Sequence, residues 1–102
     1  MTLRLLNHRA ADGSRHFGEL PQSRLWHEVK DYVSRLTGAC LADFCCDGVT
    51  EAWIDFDYAG HRFTINDQFG DYWFFVKDPA CPDDVLLAVL AHFRQVLGDG
   101  TG

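Results

Sequence analysis

Two aspartates at alternating positions, Asp55 and Asp57, are the residues of this sequence best placed to do chemistry together. Side chains two positions apart on a β-strand leave the same face of a sheet, and Trp53 precedes the aspartates at the same interval. A pair of carboxylates can serve as an acid–base site. Carboxylates beside an indole can equally dock a basic or amphipathic partner, because Trp concentrates in interface hot spots. The third interpretation is an ordinary solvated sheet face, on which single apolar side chains are normal.

The surface around these aspartates is expected to extend over the next two strands. Arg62 or Thr64 would lie across from the aspartates on the following strand, and Trp73 or Phe75 one strand further. The sequence therefore predicts an interaction surface, here called the predicted surface, formed by Trp53, Asp55, Asp57, Arg62 and Trp73.

Soft metal ligands are present, but their spacing does not match a metal site. The pattern Cys40-x4-Cys45-Cys46 lacks the C-x2-C pairing of structural zinc sites, and no two histidines are three or four positions apart on a predicted helix. The cysteines fit better as small apolar side chains. We therefore expect no metal ion and no other cofactor.

A cysteine nucleophile is the remaining route to catalysis. Cys81 precedes a predicted helix, where the helix dipole lowers a thiol pKa, and His61 would be the base. The spacing does not bring Cys81 and His61 together, so the simpler interpretation is a buried thiol beside the helix start. Each histidine is expected at the surface or on a helix face, and the glycines are scattered singly at turns and element ends, without a phosphate-binding loop. The sequence thus favours a protein that is not an enzyme.

Net charge limits the classes of partner. The 102 residues carry fifteen Asp and Glu against nine Lys and Arg, which gives a formal charge of −6. Such a surface repels nucleic-acid phosphates and anionic lipids, so neither nucleic acid nor membrane is an expected partner, and it also keeps a small protein soluble. No run approaches the ~20 apolar residues that cross a bilayer, and the start does not resemble a signal peptide. We therefore expect reduced cysteines and a cytoplasmic location.

Apolar periodicity predicts two helices. The first is predicted to have Pro21 in its first turn, an apolar stripe of helical spacing from Leu25 to Leu36, and its end before Gly38. A second, wider stripe begins after Pro82 and ends at Gly98. Residues 99–102 are expected to fray.

Alternating or continuous apolar runs predict the strands. These are residues 2–6, 39–46 and 51–58, a strand around Phe63 and Ile65, and residues 72–76, whose unbroken apolar run is typical of a strand covered on both faces. The stretch 7–20 is expected to be a long loop or a ragged hairpin, and Asp47-Gly48 a tight turn.

These elements predict an α+β fold in a single domain, residues 1–102. Short turns make consecutive strands antiparallel, and two helices with one apolar face each fit best on one side of a sheet. The architecture is a two-layer sandwich, with a mainly antiparallel sheet of four to five strands in the order β-α-β-β-β-β-α and both helices on one face.

Two functions remain open on the sequence alone. The favoured one is a noncatalytic protein-interaction module: an adaptor, a self-associating subunit that forms a homodimer through exposed Trp53 and Trp73, or an immunity-type protein that neutralises a basic toxin. The alternative is a small-ligand-binding domain or minor enzyme, because long loops over a rigid scaffold often carry function. Its site would lie between the sheet and residues 7–20, near a set of reactive side chains: His8, His16, His61 and Cys81.

Overall fold

The computed structural model describes residues 5–46, 52–67 and 70–98. In chain order the elements of these residues are β1 (His8–Arg9), β2 (Arg15–Leu20), α1 (Trp26–Val33), β3 (Cys40–Cys46), β4 (Ala52–Tyr58), β5 (His61–Asn66), β6 (Tyr72–Val76) and α2 (Asp83–Leu97). The strands form one antiparallel sheet in the order β1-β2-β6-β5-β4-β3. The α+β class is confirmed, with six strands in the sheet instead of the four to five predicted.

The additional strand comes from the N-terminal hairpin β1–β2. Its turn contains Gly13, whose φ of +91° favours glycine, and is closed by a 2.8 Å hydrogen bond from the Ala10 N–H to the Ser14 carbonyl. A bulge between His16 and Gly18 breaks the alternation of β2, which hid this strand from a search for period-two patterns. The hairpin interpretation of residues 7–20 is therefore correct, and the loop interpretation is wrong.

Four predicted segments fall wholly or partly outside the described residues. They are the strand at 2–6, the Asp47-Gly48 turn, the first residue of the strand at 51–58 and the tail at 99–102. Within the first of them, Leu5 and Leu6 are described and are not strand residues, although the Leu6 N–H donates a 2.8 Å hydrogen bond to the Phe17 carbonyl.

Alternation along the meander β3–β6 separates a face that packs on the helices from a face that does not. The helix-covered face, here called the inner face, buries the central alternate residues of β4 and β5 and the alternate residues of β6 to 0–1% exposure: Ile54, Phe56, Phe63, Ile65, Tyr72, Phe74 and Val76. The residues between them on β6, Trp73 and Phe75, are only partly exposed on the opposite face. Alternation in the sequence predicts burial of four of these residues, Ile54, Phe56, Phe63 and Ile65, and their burial confirms it.

Helix α2 packs closely on β2 because of Gly18. A Cβ atom at this position would lie 2.6 Å from both methyl carbons of Leu90, which is closer than side-chain atoms approach. Gly18 lies inside a strand, so the expectation that the glycines mark turns and element ends is wrong here. Its role is to admit the helix, in the way that glycine permits close backbone approach in strands.

Helix α1 covers the β3–β4 side of the sheet and is shorter than predicted, because it begins at Trp26, after the Pro21 turn, and ends at Val33, before Leu36. Trp26, Val29 and Val33 are buried, whereas Leu25 precedes the helix and is 73% exposed. The Leu25 N–H is capped by the Glu28 carboxylate at 3.1 Å, which satisfies a backbone donor at the helix start. Within the described part of the chain, no helix is long and apolar enough to cross a membrane.

Candidate functional site

The sheet face opposite α1 and α2, here called the outer face, carries the side chains with chemical potential. Strand register places on it residues from five adjacent strands, among them Asp43, Trp53, Asp55, Asp57, Arg62, Thr64, Asn66, Trp73, Phe75, His16 and Glu19. All five residues of the predicted surface are among them. The face is therefore continuous across five strands.

The predicted surface is divided in two by the register. Arg62 lies directly opposite Asp57, so it adjoins the β4 residues. Trp73 is separated from Trp53 by Asn66, which pairs with both of them from β5. The two indoles therefore do not form one patch, and Trp73 belongs to a different neighbourhood from the rest of the predicted surface.

Asp57 and Arg62 form an ion pair with two hydrogen bonds. Arg62 Nε donates to Asp57 Oδ1 at 2.6 Å, and Arg62 Nη2 donates to Oδ2 at 3.3 Å. This two-pronged contact lowers the pKa of the Asp57 carboxyl below its usual value and raises the pKa of Arg62. A carboxylate that is held ionised in this way is poorly suited to take up and release protons near neutral pH.

Asp55 lies opposite a second carboxylate, Asp43, on β3. The Thr64 hydroxyl donates to Asp55 Oδ1 at 2.6 Å, and Trp53 Nε1 donates to Asp43 Oδ2 at 3.4 Å. Like charges directly opposite each other on adjacent strands destabilise a sheet. We call Asp43 and Asp55 the acidic pair.

Sequence reasoning missed Asp43. A register shift between Leu41 and Asp43 changes which β3 side chains face outward, so simple alternation from the strand start does not locate it. By register, the acidic residue opposite Asp55 is therefore Asp43 of β3, whereas Asp57, with which the sequence paired it, is its neighbour two residues along β4.

Trp73 forms an aromatic cluster with His16 and Phe75. The His16 ring stacks on Trp73 with 4.1 Å between centroids and 11° between planes, and lies 5.1 Å from the Phe75 ring. His8 approaches His16 from β1 at 5.9 Å. Because His16 is 5% exposed, the expectation that every histidine lies at the surface or on a helix face is wrong. Burial lowers the pKa of its imidazole.

A groove of about 550 Å³ lies between the outer face and the β1–β2 turn. Arg62, Thr64 and Phe75 contribute to it from the sheet, together with Lys77 just after β6. It occupies the region where the alternative function placed a ligand site. Its lining, however, contains none of the four reactive side chains expected there.

Cys81 is not arranged as a nucleophile. The residue is 3% exposed, and burial raises the pKa of its thiol, which keeps it protonated at neutral pH. His61 lies at the start of β5, opposite Tyr58. Among the residues that the structure describes, no group of three or more His, Cys, Asp or Glu side chains is arranged to hold a metal ion.

Comparison with known proteins returns no match among family models, curated proteins or solved structures, so the geometry of the outer face is the basis for a functional proposal.

Proposed function

We propose that this chain is a noncatalytic protein-binding module that docks a basic segment of a partner on the β3–β4 side of its outer face. The observation that carries the proposal is the acidic pair, Asp43 and Asp55, beside the half-buried indole of Trp53. This arrangement is unfavourable in the isolated chain and becomes favourable when a cation is placed against it.

Among the described residues, the acidic pair has no ion pair of its own. Arg62 acts on Asp55 electrostatically but forms its ion pair with Asp57. In the described ranges, no Lys or Arg nitrogen lies within 4 Å of a carboxylate oxygen of Asp43 or Asp55. A Lys or Arg of a partner would therefore gain two carboxylates without displacing an existing ion pair.

Trp53 supplies apolar area next to the charges. Its ring is held by the hydrogen bond to Asp43, so little side-chain entropy is lost when a partner covers it. A fixed aromatic ring surrounded by polar groups is a typical interface anchor. Because β3 is an edge strand, the partner reaches this anchor from the side of the sheet as well as from above.

A heterologous basic partner fits this face better than a second copy. Two outer faces brought together would oppose two acidic pairs, and each chain carries a formal charge of −6. The roles that match are therefore an adaptor or an immunity-type inhibitor of a basic protein. In sedimentation, a monomeric wild-type chain supports this choice, whereas a dimer that Trp53→Ala dissociates would assign the face to self-association.

The proposal is tested with a random peptide library displayed on phage and selected on the intact protein. We expect selected peptides to be rich in Lys and Arg, and their binding to weaken as salt is raised. The double variant Asp43→Asn/Asp55→Asn should lose at least about tenfold in affinity for a selected peptide, measured by Trp fluorescence.

The matched control removes two exposed aspartates from the helix side, in the variant Asp31→Asn/Asp84→Asn. It changes net charge by the same amount and should bind the peptide as the wild type does. Equal loss in both double variants would show that only net charge matters, and peptides without basic residues would contradict the proposed partner chemistry.

A further inference from the structure

The groove beside the β1–β2 turn continues from the acidic pair along the outer face. Strand register sets four residues in one row, each opposite the next on the adjacent strand: Asp43, Asp55, Thr64 and Phe75. Thr64 joins the two regions, because its hydroxyl donates to Asp55 Oδ1 at 2.6 Å and the same residue lines the groove. A partner segment docked on the acidic pair therefore reaches the groove by continuing along this row.

Two strand spacings separate Asp55 from Phe75 along this row. Neighbouring strands lie about 4.8 Å apart, so the two residues are about 10 Å apart. A polyproline II segment rises about 3.1 Å per residue with three residues per turn, so its first and fourth side chains share one side at a distance of about 9 Å. A partner residue over the acidic pair therefore places the residue three positions away over Phe75.

The charged groups of the groove already interact within the chain. Asp12 accepts hydrogen bonds of 2.7 and 3.0 Å from Ser14, and these bonds, together with the charge of Lys77, lower the pKa of its carboxyl. Arg62 forms its ion pair with Asp57. A charged ligand group that entered the groove would give up its hydration and compete with these contacts. The groove therefore favours an uncharged occupant.

The apolar surface of the groove comes from the partly exposed Phe75 on the sheet side and from Ala10 and Ala11 on the turn side. The Phe75 ring packs against the rings of His16 at 5.1 Å and Trp73 at 6.4 Å, so little side-chain entropy is lost when a ligand covers it. The volume of about 550 Å³ lies in the range of roughly 300–1,000 Å³ that small-molecule sites occupy, which is ample for one side chain.

We infer that the partner segment carries a two-part motif: a lysine or arginine that binds the acidic pair and, three positions away, an apolar side chain such as leucine that is buried in the groove against Phe75. This inference rests on the proposed docking function and deepens it. The acidic pair alone selects partners by charge, whereas the groove adds a requirement for an apolar residue at a fixed distance.

The test is an NMR titration of the ¹⁵N-labelled protein with three tetrapeptides that are acetylated and amidated: Arg-Gly-Gly-Leu, Arg-Gly-Gly-Gly and Gln-Gly-Gly-Leu. Each is made in both residue orders, and the order that binds more tightly is used throughout. We expect the arginine–leucine peptide to bind at least about fivefold more tightly than either of the others. Both arginine peptides should shift amides of β3 and β4, and only the arginine–leucine peptide should also shift those of residues 10–12 and 75.

Two variants separate the parts of the motif. Ala11 is exposed in the turn, so Ala11→Phe fills the groove and should reduce the affinity for the arginine–leucine peptide to that for the arginine–glycine peptide. Ala91→Phe is the matched control, because Ala91 is exposed on α2, and it should leave all binding unchanged. Asp43→Asn/Asp55→Asn should weaken both arginine peptides.

Equal binding of the arginine–leucine and arginine–glycine peptides would overturn the inference and leave the docking function intact. Equal weakening by Ala11→Phe and Ala91→Phe would also overturn it, as would the lack of a saturable shift with every peptide at millimolar concentration. Failure of the docking function looks different. In that case the glutamine–leucine peptide binds as tightly as the arginine–leucine peptide, and Asp43→Asn/Asp55→Asn changes neither affinity.

Discussion

The inner and outer faces of this sheet are built from alternate residues of the same strands, yet different forces organise them. On the inner face, aromatic rings pack on one another: Phe93 of α2 lies 5.4 Å from the Phe74 ring and 5.8 Å from the Phe56 ring, with all three buried. On the outer face, Asp43 of β3 lies opposite Asp55 of the adjacent strand β4. The inner face is therefore packed for stability, whereas the outer face retains opposed like charges, the feature on which the proposed docking function rests.

The largest effect should come from the inner face, with Phe93→Ala. Removing a fully buried ring loses its transfer free energy and leaves a cavity, which costs about 3–5 kcal/mol of unfolding free energy. Urea denaturation measures it. Leu87→Ala on the same helix is the control, since Leu87 is 36% exposed and should lose far less. Equal losses of unfolding free energy in the two variants would contradict the placement of Phe93 on the buried face of α2 and of Leu87 on its exposed face.

The next effect comes from Gly18, where the inner face is closest to α2. Gly18→Ala should cost about 1–3 kcal/mol, because the new methyl group meets the Leu90 side chain. Leu90→Ala removes the obstructing atoms, so in that background Gly18→Ala should cost much less. The double-mutant cycle reports the coupling, and additive losses would show that the close approach is not the cause.

A smaller effect on stability, which depends on pH, is expected at His16. This residue is buried against Trp73 on the outer face. Burial lowers the pKa of His16 in the folded state below 6.5, although nearby Glu19 opposes the shift and His8 adds to it. Below pH 6.5 the unfolded chain therefore binds the proton more strongly, and the stability contributed by neutral His16 is lost as the pH falls towards the folded pKa.

The comparison that isolates this effect is wild type against His16→Phe, which keeps a ring on Trp73. The unfolding free energy of the wild type minus that of His16→Phe should be constant above pH 7. It should decrease as the pH falls from 6.5 to 5. A difference that is flat with pH would mean that His16 titrates alike in both states.

The smallest effect should have the opposite sign. Asp55→Asn removes the repulsion with Asp43 but keeps an oxygen that accepts the 2.6 Å hydrogen bond from the Thr64 hydroxyl. We expect a gain of about 0.2–1 kcal/mol in unfolding free energy together with a loss of basic-peptide binding. A loss of stability would show that the acidic pair is favourable in the free protein, which would remove the main support for the docking proposal.

The inner face was largely predictable, because its signal is local. Strict alternation over Ile54, Phe56, Phe63 and Ile65, with short turns between strands, is enough to specify an antiparallel meander and its buried side. The ends of α2 were equally clear, as Pro82 and Gly98 flank it directly.

The outer face was predictable only in part, because its neighbourhoods depend on bulges and on distant pairings. Asp43 and His16 each lie beside a register shift, and no local period assigns either to a face. The role of Gly18 depends on Leu90, which is 72 positions away in the chain and touches it only in the folded state. Burial of His16 under Trp73 likewise requires β2 and β6 to pair first.

That pairing of β2 with β6 has a consequence for the order of folding. Arg15 pairs with Val76, so a strand made early in synthesis waits for one of the last strands to complete its hydrogen bonds. At about 5–20 residues per second, several seconds pass between the synthesis of β2 and the synthesis of β6. During this time β2 lacks its β6 partner. The meander β3–β6 can close locally in that time, and the N-terminal hairpin then joins it as the final, slow step that long-range contacts impose.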